Sequence, residues 1–191
     1  MKKIRLSLIA LFAIIGVLTL NSCGEKKAVA EDVQEFTVEN ILNEAEAMID
    51  QEVVLEGVCT HICSHGGKKI FLMGEDETQT IRVEASDNIG AFSADCANAM
   101  VRVRGKVVEE RIDEAYLAKW EASLEDGTAE EHGDEEEGGC ASEQQAQNET
   151  PVSSELERIE NFRVRIAEEY ENTGKNYLSF YYILAESYEI E

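Results

Sequence analysis

The chain has 191 residues and carries 17 Lys and Arg against 40 Asp and Glu, a formal charge of −23. A chain this acidic is repelled by nucleic-acid phosphates and by anionic lipid, so composition disfavours both as partners. The length suits one domain with its own core, or one domain plus extended parts. The acidity is local: residues 125–149 hold ten acidic residues and no Lys or Arg, whereas residues 68–111 hold seven basic against eight acidic. That second stretch is free to present a basic face.

The N-terminus opens with Lys2, Lys3 and Arg5, continues as an apolar run over residues 8–20, and reaches Leu20-Asn21-Ser22-Cys23. The run is shorter than the roughly 20 apolar residues of a membrane-spanning helix. Its order is that of a secretory signal. A leucine three residues before a cysteine, with Gly24 after it, resembles the lipobox of bacterial lipoproteins. The resemblance implies cleavage after residue 22, a diacylglyceryl thioether on Cys23 and an acyl group on the new N-terminus. It places the protein in the bacterial cell envelope, lipid-anchored to a membrane whose identity and face stay open. Without residues 1–22 the count becomes 14 basic against 40 acidic, a charge of −26. Residues 23–35 lack apolar periodicity and read as a tether to a domain over 36–191.

Thr37 stands at a helix N-cap, followed by Ile41, Leu42, Ala45, Met48 and Ile49 at helical spacing. Residues 53–63 read as a strand, with Gly57 marking a bulge or tight bend. Gly66-Gly67 supplies a turn into strands over 69–73 and 79–85. Residues 87–99, with Ile89, Phe92, Cys96 and Ala99 three or four apart, predict a short helix. Residues 101–108 alternate Val101, Val103, Gly105 and Val107 with Arg102, Arg104 and Lys106, the period of a half-buried strand. Asp113 caps a helix with a stripe of Tyr116, Leu117, Trp120 and Leu124. Residues 125–152 read as a disordered acidic insertion, too polar to offset their own ordering entropy. Ser154-Glu155-Leu156-Glu157 is a capping box, and Leu156, Ile159, Phe162, Ile166 and Tyr170 continue a helix to Gly174. Aromatic and β-branched residues favour a strand over 177–190, with a helix as the alternative.

Three strands, a helix, a fourth strand and a late fifth is the element order of an OB-fold. Residues 53–110 resemble the bacterial OB-fold domains grouped with tRNA-anticodon-binding modules. Val54-Leu55-Glu56-Gly57-Val58, the paired strands 69–73 and 81–85, and Val101-Arg102-Val103-Arg104-Gly105-Lys106-Val107 carry the likeness. The fold expected is a five-stranded OB-fold-like β-barrel with added helices, departing from the group by a helical and acidic insertion before the last strand.

Cys59-Thr60-His61-Ile62-Cys63-Ser64-His65 is the cluster with chemical potential. In a regular strand all four Cys and His side chains project from one face, and thiolate and imidazole suit zinc or another transition metal. At about 3.3 Å per residue, Cys59 and His65 lie about 20 Å apart, so one ion collects all four only around a sharp bend. A smaller set, Cys63 and His65 near the glycine turn with Cys96, is easier to close. The competing account pairs Cys59 or Cys63 with Cys96 or Cys140, or leaves them buried; four cysteines allow three pairings. A redox thiol role is a further alternative. His132, Glu135, Glu136, Glu137 and Cys140 read as part of a solvated acidic run.

Lys68, Lys69, Arg82, Arg102, Arg104 and Lys106 form a candidate basic strip on the barrel, where OB-folds take oligonucleotides and oligosaccharides. Tyr177, Phe180, Tyr181, Tyr182 and Tyr188 are candidate stacking or packing residues. Ser-His-Asp order, phosphate loop and paired catalytic carboxylates do not stand out, so no catalytic residue is assigned. The expectation is a non-enzymatic, lipid-anchored binding module for a small ligand or envelope protein. A metal- or redox-handling lipoprotein is the alternative, with oligonucleotide or oligosaccharide binding behind it.

Overall fold

The computed structural model describes residues 33–64, 66–126, 140–150, 152 and 154–191. The signal segment, Cys23 and most of the tether lie outside the described residues. The first element, β1 (Gln34–Thr37), runs parallel to β2 (Glu52–Ile62) from Gln34↔Val53 to Thr37↔Glu56. β1 thus takes in residues 34 and 35, which the sequence reading places at the end of the tether. Thr37 caps α1 (Val38–Glu44), its hydroxyl accepting from the Asn40 amide at 3.3 Å. The helix then tightens into a 3₁₀ turn, Ala45–Met48, and buries Val38, Ile41, Ala45 and Met48.

The barrel follows from β2, β3 (Lys69–Met73), β4 (Thr80–Ala85), β5 (Met100–Asp113) and β6 (Tyr177–Ile190). Neighbours run β2-β3-β4-β6-β5, and β5 closes on β2 from Glu52↔Lys106 to Val58↔Met100. The one parallel pair within the ring is β4 with β6. This is an OB-fold-like closed barrel, with β1 as an extra strand. Period-two alternation builds its core: Val53 and Leu55, Ile70 and Leu72, Ile81 and Val83, Val101, Val103 and Val107, and Ile183 point inward. Each such aliphatic side chain contributes about 1.5–3 kcal/mol by leaving water. Gly105 lies where β5 and β6 shift register, and a methyl there would stand 2.8 Å from the Ala185 Cα. Gly57 does not mark the bulge. A Cβ at Gly57 would meet the Met73 carbonyl oxygen at 2.9 Å, so a close approach explains that glycine.

Residues 87–99 are corrected from helix to a looped segment with one 3₁₀ turn, Ala94–Cys96. Gly90 and Asn98 adopt left-handed φ values of 74° and 61°, which break a continuous helix. Phe92 and Cys96 still bury their side chains in the barrel core.

The insertion builds a second core. β5 and β6 pair onward to Asp113↔Tyr177, past the barrel. On this extension lie α2 (Glu114–Glu125) and α4 (Glu155–Thr173), packing Ile112, Leu117, Trp120, Ile159 and Phe162. The Trp120 indole donates to Glu155 at 2.8 Å and ties the helices together. The α4 stripe is narrower than its periodicity suggests, since Leu156 and Tyr170 are exposed. Residues 127–139, with His132 and the Glu135–Glu137 run, lie outside the described residues. Disorder through residue 152 is corrected at its far end: α3 (Ala141–Ala146) is a helix lying against β3 and β4. Among the described residues no helix is long and apolar enough to cross a membrane.

Candidate ligand face and the cysteine–histidine strand

The β2 strand carries a bulge where its sequence suggests regular alternation. Cys59 pairs with Leu72 and His61 with Phe71, so Thr60 is an extra residue. Opposed residues share a face, and the insertion flips the sense of everything after it. Cys59 therefore faces the core, fully buried, and His61 faces outward. The prediction of one shared face for Cys59, His61, Cys63 and His65 is corrected accordingly.

Inside, Cys59 lies near Cys96. Burial, with Cys96 as a further cause, pushes the Cys59 thiol up to about 11, and burial also raises Cys96. Both are protonated near neutral pH, whereas metal binding and nucleophilic attack need thiolate. Outside, the His61 ring packs on Phe71 at 5.8 Å between centroids, and its Nε2 lies 3.5 Å from the Cys140 Sγ at the start of α3. Cys63 is half-buried. With Thr60, His61, Gly67 and Phe92 it lines an open cleft of about 570 Å³ beneath the β2–β3 loop. His65 lies outside the described residues. The four cysteines among the described residues, Cys59, Cys63, Cys96 and Cys140, are free thiols. The proposed metal set is thus divided between the two sides of a strand. Among the described residues no group of three or more Cys, His, Asp or Glu is placed to hold a metal ion.

The basic residues do not form one strip. Along β5, Arg102 bonds Glu35 and lies 3.6 Å from Glu56, Arg104 bonds Glu52, and Lys106 lies 3.9 Å from Glu186. The Arg104 hydrogen bond is the main reason the Glu52 carboxyl is held below its usual range. These cations face carboxylates of β1, β2 and β6, which weakens any claim to phosphate. Lys68 is exposed at the β3 entrance.

Arg82 is different. It points outward from β4 yet is only 6% exposed, because α3 covers it. Its guanidinium bonds Glu143 of α3, donates to Glu110 at 2.6 Å, lies 3.3 Å from Glu84 and stacks 4.6 Å above the Tyr182 ring. Burial alone would lower its pKa, but Glu143, Glu110 and Glu84 outweigh that and raise it, so it stays charged. Lys69 joins the cluster, 3.7 Å from Glu84 and 3.8 Å from Glu143.

No family model matches the chain. No curated protein matches it either. Among solved structures, a crystal structure described as an aspartyl-tRNA synthetase from Leishmania major Friedlin is similar over 45% of this chain and 18% of that one, at 13% identity and a TM-score of 0.30. The chain spans less than a fifth of that protein.

Sequence reasoning missed Glu143 and Arg158, and offered Cys140 only as a disulfide partner or as part of the acidic run. Arg158 is 3% exposed and donates to Glu149 at 2.6 Å and Gln147 at 2.8 Å. The visible signal was an arginine immediately before the buried Ile159, inside the apolar stripe of α4. The expected stacking aromatics have local partners: Tyr177 lies under Arg111, Phe180 packs on Phe162, and Tyr188 packs on Phe92 and accepts from the Ser93 amide.

Proposed function

We propose that this protein is a lipid-anchored binding module of the bacterial cell envelope, acting by binding and not by catalysis. The observation that carries the reading is the outer face of β3 and β4 with the cleft beside it. OB-folds take ligands on their second and third strands and on the loops joining strands one to two and four to five. Here those parts are β3 and β4, the β2–β3 loop with Cys63 and Gly67, and the long β5–β6 connection. The open cleft against Phe92 supplies a largely apolar wall. The acidic partners of Arg102, Arg104 and Lys106 argue against nucleic acid along β5.

The anchor rests on the Leu20–Cys23 sequence, and stable anchoring needs more than one acyl chain. Labelled palmitate should enter the wild-type protein, and Cys23→Ala should appear unlabelled in the soluble fraction. Unlabelled wild type would remove the anchor. For the module itself, amide spectra of the full chain are recorded during titration with an N-acetylglucosamine oligomer, a short peptide and a thymidine oligonucleotide. Saturable shifts confined to residues 60–67, 80–85 and 92–97 are expected from one probe class. Scattered or absent shifts with all three overturn the reading.

A second reading, handling of zinc or another transition metal, draws on the His61–Cys140 contact with Cys63 in the adjoining cleft. Stoichiometric metal on protein purified without chelator, lost in Cys140→Ser, is its expected signature. Metal-free protein excludes it.

A further inference from the structure

Four outward-facing residues form one continuous row across the barrel. His61 pairs with Phe71, Phe71 with Arg82, and Arg82 with Tyr182. The row alternates rings with one guanidinium, and it crosses the strands on which OB-folds hold ligands. It is not open to solvent in this conformation. Phe71 is 1% exposed and Arg82 6%. The cover is α3, with Cys140 against His61 and Glu143 on Arg82.

The cover is of unusual make. A permanently packed helix normally buries an apolar stripe. The side chains that the α3 segment buries are Glu143, Gln144 and Gln147, all polar. Six residues are also too few for a helix to persist on its own. A buried ion pair contributes little net stability because desolvation of both partners offsets it. The contact is therefore specific in geometry and cheap to exchange for an equivalent one.

We propose that α3 is a displaceable internal cover whose Glu143 occupies the place of an anionic ligand group, so that the Phe71–Arg82–Tyr182 row is a binding site for a ring-bearing carboxylate or phosphate. This rests on the binding-module reading and names its ligand class. Charge supports the exchange. Arg82 and Lys69 now face Glu84, Glu110 and Glu143. When α3 leaves, two cations face two barrel carboxylates, and an arriving anion restores the present balance. An anionic group bonded to Arg82 places its attached ring over Phe71 or beside Tyr182, where the rings supply apolar area.

The test uses the full chain with phenyl phosphate and benzoate as probes and inorganic phosphate as the ringless control. Glu143→Gln keeps the shape of the contact and removes its charge. The double variant Gln144→Ala, Gln147→Ala loosens the cover without touching the seat. Each is expected to bind phenyl phosphate or benzoate at least tenfold more tightly than wild type, and at least tenfold more tightly than inorganic phosphate. Which probe gains separates a phosphate from a carboxylate ligand. Adding Arg82→Lys to either variant should abolish the gain, and backbone amides of residues 141–146 should exchange faster in both variants than in wild type. No gain in either variant overturns the inference, as does a gain that survives Arg82→Lys. If saturable shifts at residues 60–67 persist while no anion binds, the inference falls and the module reading stands; loss of both removes both.

Discussion

With Thr60 out of register, Cys59 points toward Cys96 in the core while His61 turns outward and Cys63 borders the open cleft. One residue thereby gives chemically similar side chains opposite environments. The folded-state pKa of Cys59 is raised from 9.0 to about 11, chiefly by burial. A raised pKa stabilises the fold while the thiol is protonated. That contribution is complete below about pH 9 and is lost as pH climbs through about 11. Two outcomes are expected. At pH 8, iodoacetamide should modify Cys63 and Cys140 in the native protein, and Cys59 and Cys96 only after denaturation. The melting temperature should then fall between pH 9 and 11, by less in Cys59→Ala. Labelling of Cys59 as fast as Cys63 in the folded protein would sink the inward assignment.

At the level of elements, α4 and α3 contrast in what holds them. The α4 helix starts at Ser154, whose hydroxyl accepts from the Glu157 amide at 3.2 Å, and stops at Gly174 with φ of 79°. Ser154→Ala is expected to cost about 1 kcal/mol, the usual worth of an N-cap. Urea unfolding should show it as a lower midpoint with an unchanged slope; an unaltered midpoint would mean that packing on Trp120 alone holds the start of the helix. The same contrast explains what was legible in the sequence. The alternation of Val101, Val103 and Val107, the capping box of α4 and the aromatic β6 announce themselves because each buries apolar side chains at a fixed period. The α3 helix does not, since it docks through Glu143, Gln144 and Gln147 and apolar periodicity is blind to polar docking. The bulge at Thr60 was hidden as well: threonine suits a regular strand, and nothing local separates a bulged residue from a paired one. The basic strip failed for a third reason, because its acidic partners come from Glu35, Glu52, Glu110 and Glu143, distant in sequence.

Across the whole molecule, the last strand decides whether there is a barrel at all. β6 lies between β4 and β5, joined to β4 from Arg82↔Tyr182 to Ala85↔Ala185 and to β5 from Val101↔Ile190 to Asp113↔Tyr177. The long insertion thus connects β5 to the strand that completes the ring, and its second core of Ile112, Leu117, Trp120, Ile159 and Phe162 spans both sides of residues 127–139. A protease recognition site placed within that segment allows the chain to be cut there without removing any described residue. The two fragments should stay together through size-exclusion chromatography and unfold in one transition, because the strand pairing and both cores cross the cut. Deletion of residues 177–191 should leave the barrel open between β4 and β5 and unfold it. If the later fragment instead separates while the earlier one keeps its melting transition, β6 is not the closing strand. The ligand face then loses its Tyr182 border, since the strand that carries that residue would not belong to the barrel.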